Sequence, residues 1–178
     1  EELSFKINQD FKAEMIIINT STPSVYNDMS VGKAFKNDNP NVKVFLVGPH
    51  ITATIKEGFD YMVEHDLLLD GVLCGEFDQV VVDIANRIEK KADYKMAPGL
   101  AYRDDNGEII ENPKPQMLHD LDGWPLVTEL YKEFLDIPKY YYGHNKHPMV
   151  TIITGRGCFY RCTFCQLPQV MHGHDYRK

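Results

Sequence analysis

The sequence predicts an α/β fold, a Rossmann-like, doubly wound parallel sheet followed by a connector and the first strand and loop of a second domain. Three observations lead there. Short strand-like runs recur at 13–19, 42–47 and 70–74, the first of them β-branched and apolar, the form of a strand buried on both faces of a parallel sheet. Each is followed by a short loop and a stretch with helical spacing, and this repeat with short connections gives βα units. A later glycine-bearing loop, 154–165, gathers three of the four cysteines after one more apolar run.

Residues 1–12, with Leu3, Phe5, Ile7 and Phe11, read as the tail of a helix. After the strand at 13–19 and the loop at 20–24, a helix is expected over about 27–38, with Met29, Ala34 and Phe35 turned inward and Asn39-Pro40 as the stop. The second strand, 42–47, turns through Gly48-Pro49-His50-Ile51-Thr52 into a helix over about 53–65. The third strand, 70–74, leads through Gly75-Glu76-Phe77-Asp78 into a helix to about Lys91, whose apolar positions are Val80, Val81, Ile84, Ala85 and Ile88. Because ligands of such sheets bind beyond the carboxyl ends of the strands, the three loops should form one rim.

Segments 99–103 and 108–111 flank Asn106-Gly107, a strong hairpin signal, and predict a small antiparallel ribbon. From 112 to 148, prolines and aromatics, including Trp124 and Tyr140 to Tyr142, suit a connector that wraps a surface. The run 149–153 reads as a strand leading into the cysteine loop. The expected division is 1–95 for a partial sheet domain, 96–148 for hairpin and connector, and 149–178 for the truncated start of the second domain.

At 178 residues the chain has room for one domain with a proper core and part of another. Hydrophobic residues at 43% and charged residues at 25% are ordinary usage for a globular protein. A formal charge of -7 argues against a nucleic-acid footprint, although Arg156 and Arg161 remain local anion partners. No apolar run approaches bilayer length. Clustered cysteines without a signal peptide point to metal chemistry in a reducing compartment, so a cytoplasmic location is expected. The chain starts at Glu1 and stops thirteen residues after Cys165, which reads as a piece of a longer enzyme, not expected to turn over by itself.

Gaps of three and two residues allow one loop to turn the thiolates of Cys158, Cys162 and Cys165 toward one point, with no local cysteine for a fourth position; Fe–S clusters are commonly held by such ligands. Zinc completed by His172 or His174 is the rival, disfavoured because zinc ligands usually come as two separated pairs. Gly155 and Gly157 lack the third glycine of a dinucleotide fingerprint and more simply let the backbone pass close to a cofactor. Ordinary explanations stand beside the functional ones: Gly48 and Gly75 can end strands, His50 can pack at a helix start, and Thr52 or Asp78 can be an N-cap. Cys74, alone in its strand, reads as a small buried apolar residue. His144 and His147 read as solvated turn residues.

The pattern C-x3-C-x-Phe-C after a strand, preceded by Gly155-Arg156-Gly157, resembles the cluster loop of radical S-adenosylmethionine enzymes. The resemblance implies that Cys158, Cys162 and Cys165 hold a 4Fe-4S cluster, that S-adenosylmethionine chelates the fourth iron, and that Phe164 packs near its adenine. Thr20-Ser21-Thr22, Gly48 to Thr52 and Gly75-Glu76 are similar to the matching segments of the cobalamin-binding domain that precedes the barrel in many such enzymes. This second resemblance implies that Thr20, Ser21, Gly48, His50, Thr52, Gly75 and Glu76 lie nearest the corrinoid or its nucleotide tail. Leu121-Asp122-Gly123-Trp124-Pro125 resembles the family's passage from that domain to the barrel. Val47 departs from a glycine common in the family, Phe77 and Asp78 depart from its Gly-Glu-Gly-Glu, and no Asp-x-His-x-x-Gly is present to replace cobalamin's lower ligand.

Together the resemblances imply reductive cleavage of S-adenosylmethionine to a 5'-deoxyadenosyl radical, with cobalamin-dependent methyl transfer or related C–H chemistry on a small-molecule substrate. A reductant such as flavodoxin or ferredoxin would supply the electron. A cyclase of the anaerobic Mg-protoporphyrin ester type and a zinc-stabilised binding module are the alternatives. A methylthiotransferase would need a second cysteine triplet, and only Cys74 remains.

Overall fold

The computed structural model describes residues 11–166, 168, 170 and 173–177; the helix tail expected at Leu3, Phe5 and Ile7, and His172, lie outside the described residues. A five-stranded sheet forms the body, in the order β1 (Met15–Asn19), β2 (Lys43–Val47), β3 (Gly71–Leu73), β4 (Leu100–Arg103), β5 (Ile109–Glu111). The first three strands are parallel, with Ile17 opposite Phe45 and Phe45 opposite Gly71. The hairpin expected around Asn106-Gly107 is present and lies antiparallel on β3, with Leu73 opposite Leu100. Its docking meets a physical need: the exposed edge of β3 would otherwise leave backbone groups unpaired, and just past it the Cys74 N–H donates to the Gly99 carbonyl at 2.8 Å.

Helices cover both faces, as a Rossmann-like sheet requires. Alternation along β2 turns Val44 and Leu46 toward α1 (Val25–Asp38), α2 (Pro49–Ala53) and α3 (Ile55–Glu64), where Met29, Phe35, Ile51, Phe59 and Met62 bury against them. Phe45 and Val47 face the other way, onto Val80 and Ile84 of α4 (Asp78–Glu89) and onto Leu73, Ala97 and Leu100. Every residue of β2 after Lys43 is buried, which explains why this strand reads as a continuous apolar run.

Three expectations change. The helix expected over about 53–65 is α3, but the turn expected before it holds a second short helix, α2, begun by Pro49 and parted from α3 at Thr54, whose φ is -126° and whose hydroxyl donates to the His50 carbonyl at 2.9 Å. The connector contains a helix, α5 (Val127–Phe134), that its proline-rich flanks concealed. Residues 149–153 form no strand, and Ile152 and Ile153 are 51% and 75% exposed. A strand needs a neighbour for its N–H and C=O groups, and none among the described residues lies beside this run.

At the opposite end of the strands from the loops, Asp70 fastens β2 and β3. Its carboxylate accepts from Lys36 Nζ at 2.5 Å, Lys43 Nζ at 3.2 Å, the Val44 N–H at 2.9 Å and the Tyr94 hydroxyl at 3.3 Å. Burial by itself would raise its pKa, but the bonds from Lys36 and Val44 and the charges of Lys36 and Lys43 hold it below the ordinary carboxylate value. A carboxyl with a depressed folded pKa contributes stability above the unfolded value, about 3.9, and loses it as pH falls through the folded one. Denaturant midpoints should therefore fall more steeply below about pH 4 in the wild type than in Asp70→Asn. Parallel acid limbs in the two proteins would show that stability at low pH is governed elsewhere.

Candidate functional site

The loops after β1, β2 and β3 meet at the carboxyl end of the sheet. Thr20 is buried, and both its N–H and its hydroxyl donate to the Val47 carbonyl, at 2.8 and 2.9 Å. This clasp brings the first loop against Gly48, whose φ is +126° and where an added Cβ would stand 2.4 Å from the Thr20 oxygen. The second loop is tied to the first by a Thr22 Oγ1 to His50 Nδ1 contact of 3.2 Å. Ser21 bonds Ser24 at 2.8 Å, and Ser24 donates to Asp28 at 2.7 Å, so the start of α1 is held by the same hydroxyl network.

Beyond the clasp lie two adjoining cavities. One, of about 410 Å³, is lined by Thr52, Ile55, Cys74, Ala101, Glu111 and Lys114 among others. The other, of about 290 Å³, shares Cys74 and Lys114 and reaches Gly75, Glu76 and Pro115. The Thr52 hydroxyl is buried without a hydrogen-bond partner among the described residues. Cys74 behaves as expected of a small buried residue, and burial, with Glu111 nearby, pushes its thiol up to about 11. It is a neutral thiol at physiological pH.

The rim also carries an ionic contact to the cysteine loop. Arg156 donates to both oxygens of Asp78, at 2.6 and 3.2 Å, and its Nη1 lies 3.7 Å from Glu76. Arg177 pairs with both Glu76 oxygens and donates to the Leu118 carbonyl at 2.6 Å. The two arginines are joined backbone to backbone, Arg156 N–H to the Arg177 carbonyl at 2.8 Å and the reverse bond at 2.7 Å. The bond to Asp78 holds the Arg156 guanidinium above its already high ordinary pKa against the opposing effect of burial. Asp78 is therefore an ion-pair partner at the first position of α4, where Phe77 takes the N-cap place. Arg156, foreseen as a local anion partner, has carboxylates of its own chain as that anion.

Cys158 and Cys165 are half-buried, Cys162 is exposed, and all three are free thiols. The Cys165 N–H closes a turn on the Cys162 carbonyl at 3.1 Å, which leaves Phe164 at its tip, 90% exposed. Among the described residues no three His, Cys, Asp or Glu side chains converge as a ligand group. In sites of this kind metal binding and the ordering of the ligands occur together. His174 bonds the Tyr160 carbonyl at 3.2 Å and also stands outside any ligand group. The donor set still suits a thiolate-held cluster: three unpaired thiols on one accessible loop closed at its base.

Sequence reasoning missed the contact among Glu76, Asp78, Arg156 and Arg177. The available signal was Arg156 between two glycines, since Gly157, at φ +86°, admits the returning chain where any Cβ would overlap the Asp175 carbonyl.

No known family model matches the chain. An uncharacterized methyltransferase of Pyrococcus horikoshii is 27% identical over 186 aligned residues, which take in all of this chain and 38% of that protein. The chain thus spans well under half the length of this curated relative. The cobalamin-dependent S-adenosylmethionine radical enzyme OxsB, solved with aqua-cobalamin and S-adenosylmethionine bound, superposes at a TM-score of 0.68 with 16% identity. The superposition takes in 99% of this chain and 23% of OxsB. The radical S-adenosylmethionine methyltransferase TsrM of Kitasatospora setae, solved with tryptophan and a S-adenosylmethionine analogue, superposes at 0.51 with 12% identity over 64% of this chain and 22% of its own. The likeness is one of fold. The chain shares the Rossmann-like α/β fold of a stretch of OxsB. Among the described residues no helix is long and apolar enough to cross a membrane.

Proposed function

We propose that the chain is part of a radical S-adenosylmethionine enzyme of the cobalamin-dependent, methyl-transferring kind, comprising much of its corrinoid domain and the start of its catalytic core. One observation carries the reading: three free thiols with the spacing of a cluster loop sit on a segment anchored to the carboxyl end of a Rossmann-like sheet. The superposition of nearly all of this chain on a stretch of a cobalamin-dependent radical enzyme and the methyltransferase relative support it. Fold likeness alone would not, since one fold hosts many chemistries.

Cys158, Cys162 and Cys165 would hold the cluster, and Phe164 would offer its exposed ring to the adenine of S-adenosylmethionine. Thr20, Ser21, Gly48, His50, Thr52, Gly75 and Glu76 would form the corrinoid side, with the Thr20 clasp fixing the loops and Thr52, Gly75 and Glu76 lining the cavities. When bound, the cluster supplies the electron that cleaves the sulfonium, and the corrinoid supplies a transferable methyl group. The protein's own work is to align these groups and to keep water from them. A small-molecule substrate, a flavodoxin- or ferredoxin-type reductant and a cytoplasmic location complete the proposal.

Anaerobic reconstitution with iron and sulfide tests the cluster, with metal analysis and electron paramagnetic resonance as readouts. A reducible cluster whose spectrum changes on adding S-adenosylmethionine is expected. A stoichiometric zinc site without a reducible cluster would reject the enzyme and support the zinc-stabilised module. The corrinoid half is read by titrating hydroxocobalamin with the protein: its visible absorbance should shift and saturate, and more weakly for Gly48→Ala, where the rim cannot close. Absorbance unmoved at saturating protein counts against it.

A further inference from the structure

We infer that Glu76 and Asp78 are positioning residues for the cysteine loop: through Arg156 and Arg177 they latch its neck to the sheet's carboxyl end and so set where the three thiols stand. The neck is a defined piece of structure. Arg156 and Arg177 form a two-way antiparallel bridge, and every cysteine of the triplet lies between them in sequence. Gly155 and Gly157 make the bridge sterically feasible, with an added Cβ 2.9 Å from the Arg177 carbonyl at the first and still closer to the Asp175 carbonyl at the second.

Both carboxylates belong to the other domain, one just past β3 and the other opening α4, about 80 to 100 residues earlier in the chain. The contact is dry at its centre: the side chains of Arg177 and Glu76 are only 5% and 9% exposed, and Arg177 Nε is buried without a partner among the described residues. A guanidinium in that position depends on its carboxylate, because removing one member of a buried pair strands the other charge. Arg177 also holds the Leu118 carbonyl, so the connector is fastened at the same point. Neither a solvated surface pair nor a helix cap has these properties.

The positioning role rests on the cluster reading, whereas the latch itself does not, and the test separates them. In the full chain without added iron, hydrogen exchange at the Arg156 and Arg177 amides should accelerate by about tenfold or more in Glu76→Gln, while the β2 amides of Val44 to Leu46 stay as in the wild type. Arg177→Gln should do the same, and the double variant no more than either single, as expected of partners acting through each other. If Glu76→Gln fails to fold, Asp78→Asn decides by the same exchange criterion. Unchanged neck exchange, or additive effects in the double variant, overturns the latch.

After anaerobic reconstitution, Glu76→Gln should keep iron within about twofold of the wild type, yet give a broadened paramagnetic signal that responds less to S-adenosylmethionine. A wild-type line shape and response in Glu76→Gln, with fast neck exchange, would overturn positioning and leave a purely structural contact. A wild-type protein that takes up no cluster while its neck exchange responds would overturn the proposed function and support the latch.

Discussion

Replacing Cys162 with alanine should abolish iron–sulfur loading while the sheet domain stays folded. Among the described residues the three thiols are the loop's candidate donor set, and His174 is engaged with a backbone carbonyl and outside any ligand group. No described side chain is poised to substitute. Outer partners of a metal ligand alone are worth about 10–100-fold in affinity, so losing a ligand should leave iron below about a tenth of wild type. Cys162 is exposed and remote from the two buried clusters around β2. Its change should therefore move stability by no more than about 0.5 kcal/mol, visible as an unchanged far-ultraviolet dichroism melt.

Cys74→Ala is the informative control. That thiol is buried, neutral and set into the sheet, so its loss should cost about 1 kcal/mol and leave iron loading intact. Iron retained by Cys162→Ala, or lost by Cys74→Ala, would remove the triplet from the centre of the functional reading.

Much of the fold was legible because the core is patterned by burial. β2 is apolar at each residue past Lys43 since both of its faces are covered, and β3 is buried throughout, whereas β1, read as buried on both faces, is the edge strand of the sheet and only half-buried, with Asn19 exposed. Asn106-Gly107 announced the hairpin, but nothing local said that it would join β3; that follows from the unpaired edge of a strand far away in sequence. The short helix before Thr54 was hidden because Gly48-Pro49 reads as a turn and the apolar periodicity begins only with α3. The run 149–153 has strand composition and no strand, since pairing is decided by a neighbour and not by propensity.

The site was legible in part for a similar reason. Cysteine spacing is a local signal, and glycines before a helix are another. The Glu76, Asp78, Arg156 and Arg177 contact is long-range, and four common charged residues carry no pattern until the chain brings them together.

Gly48→Ala should be the most damaging small change at the rim. At φ +126° and ψ 163° the residue occupies backbone space that is essentially glycine's, and forcing alanine there costs about 1–3 kcal/mol. The new methyl would also stand 2.4 Å from the Thr20 carbonyl oxygen, which is backbone and cannot rotate away. Opening that contact strains the bonds from Thr20 to the Val47 carbonyl, and overpacking of this kind costs about another 1–3 kcal/mol. Together these give about 4 kcal/mol, or a melting temperature lower by roughly 10 °C for a chain of this size. Gly143→Ala, where an added Cβ meets nothing within 4 Å, should leave the melt unchanged. If the two variants melt alike, the clasp of the first two loops is looser than its hydrogen bonds require, and the rim has no fixed shape to offer a ligand.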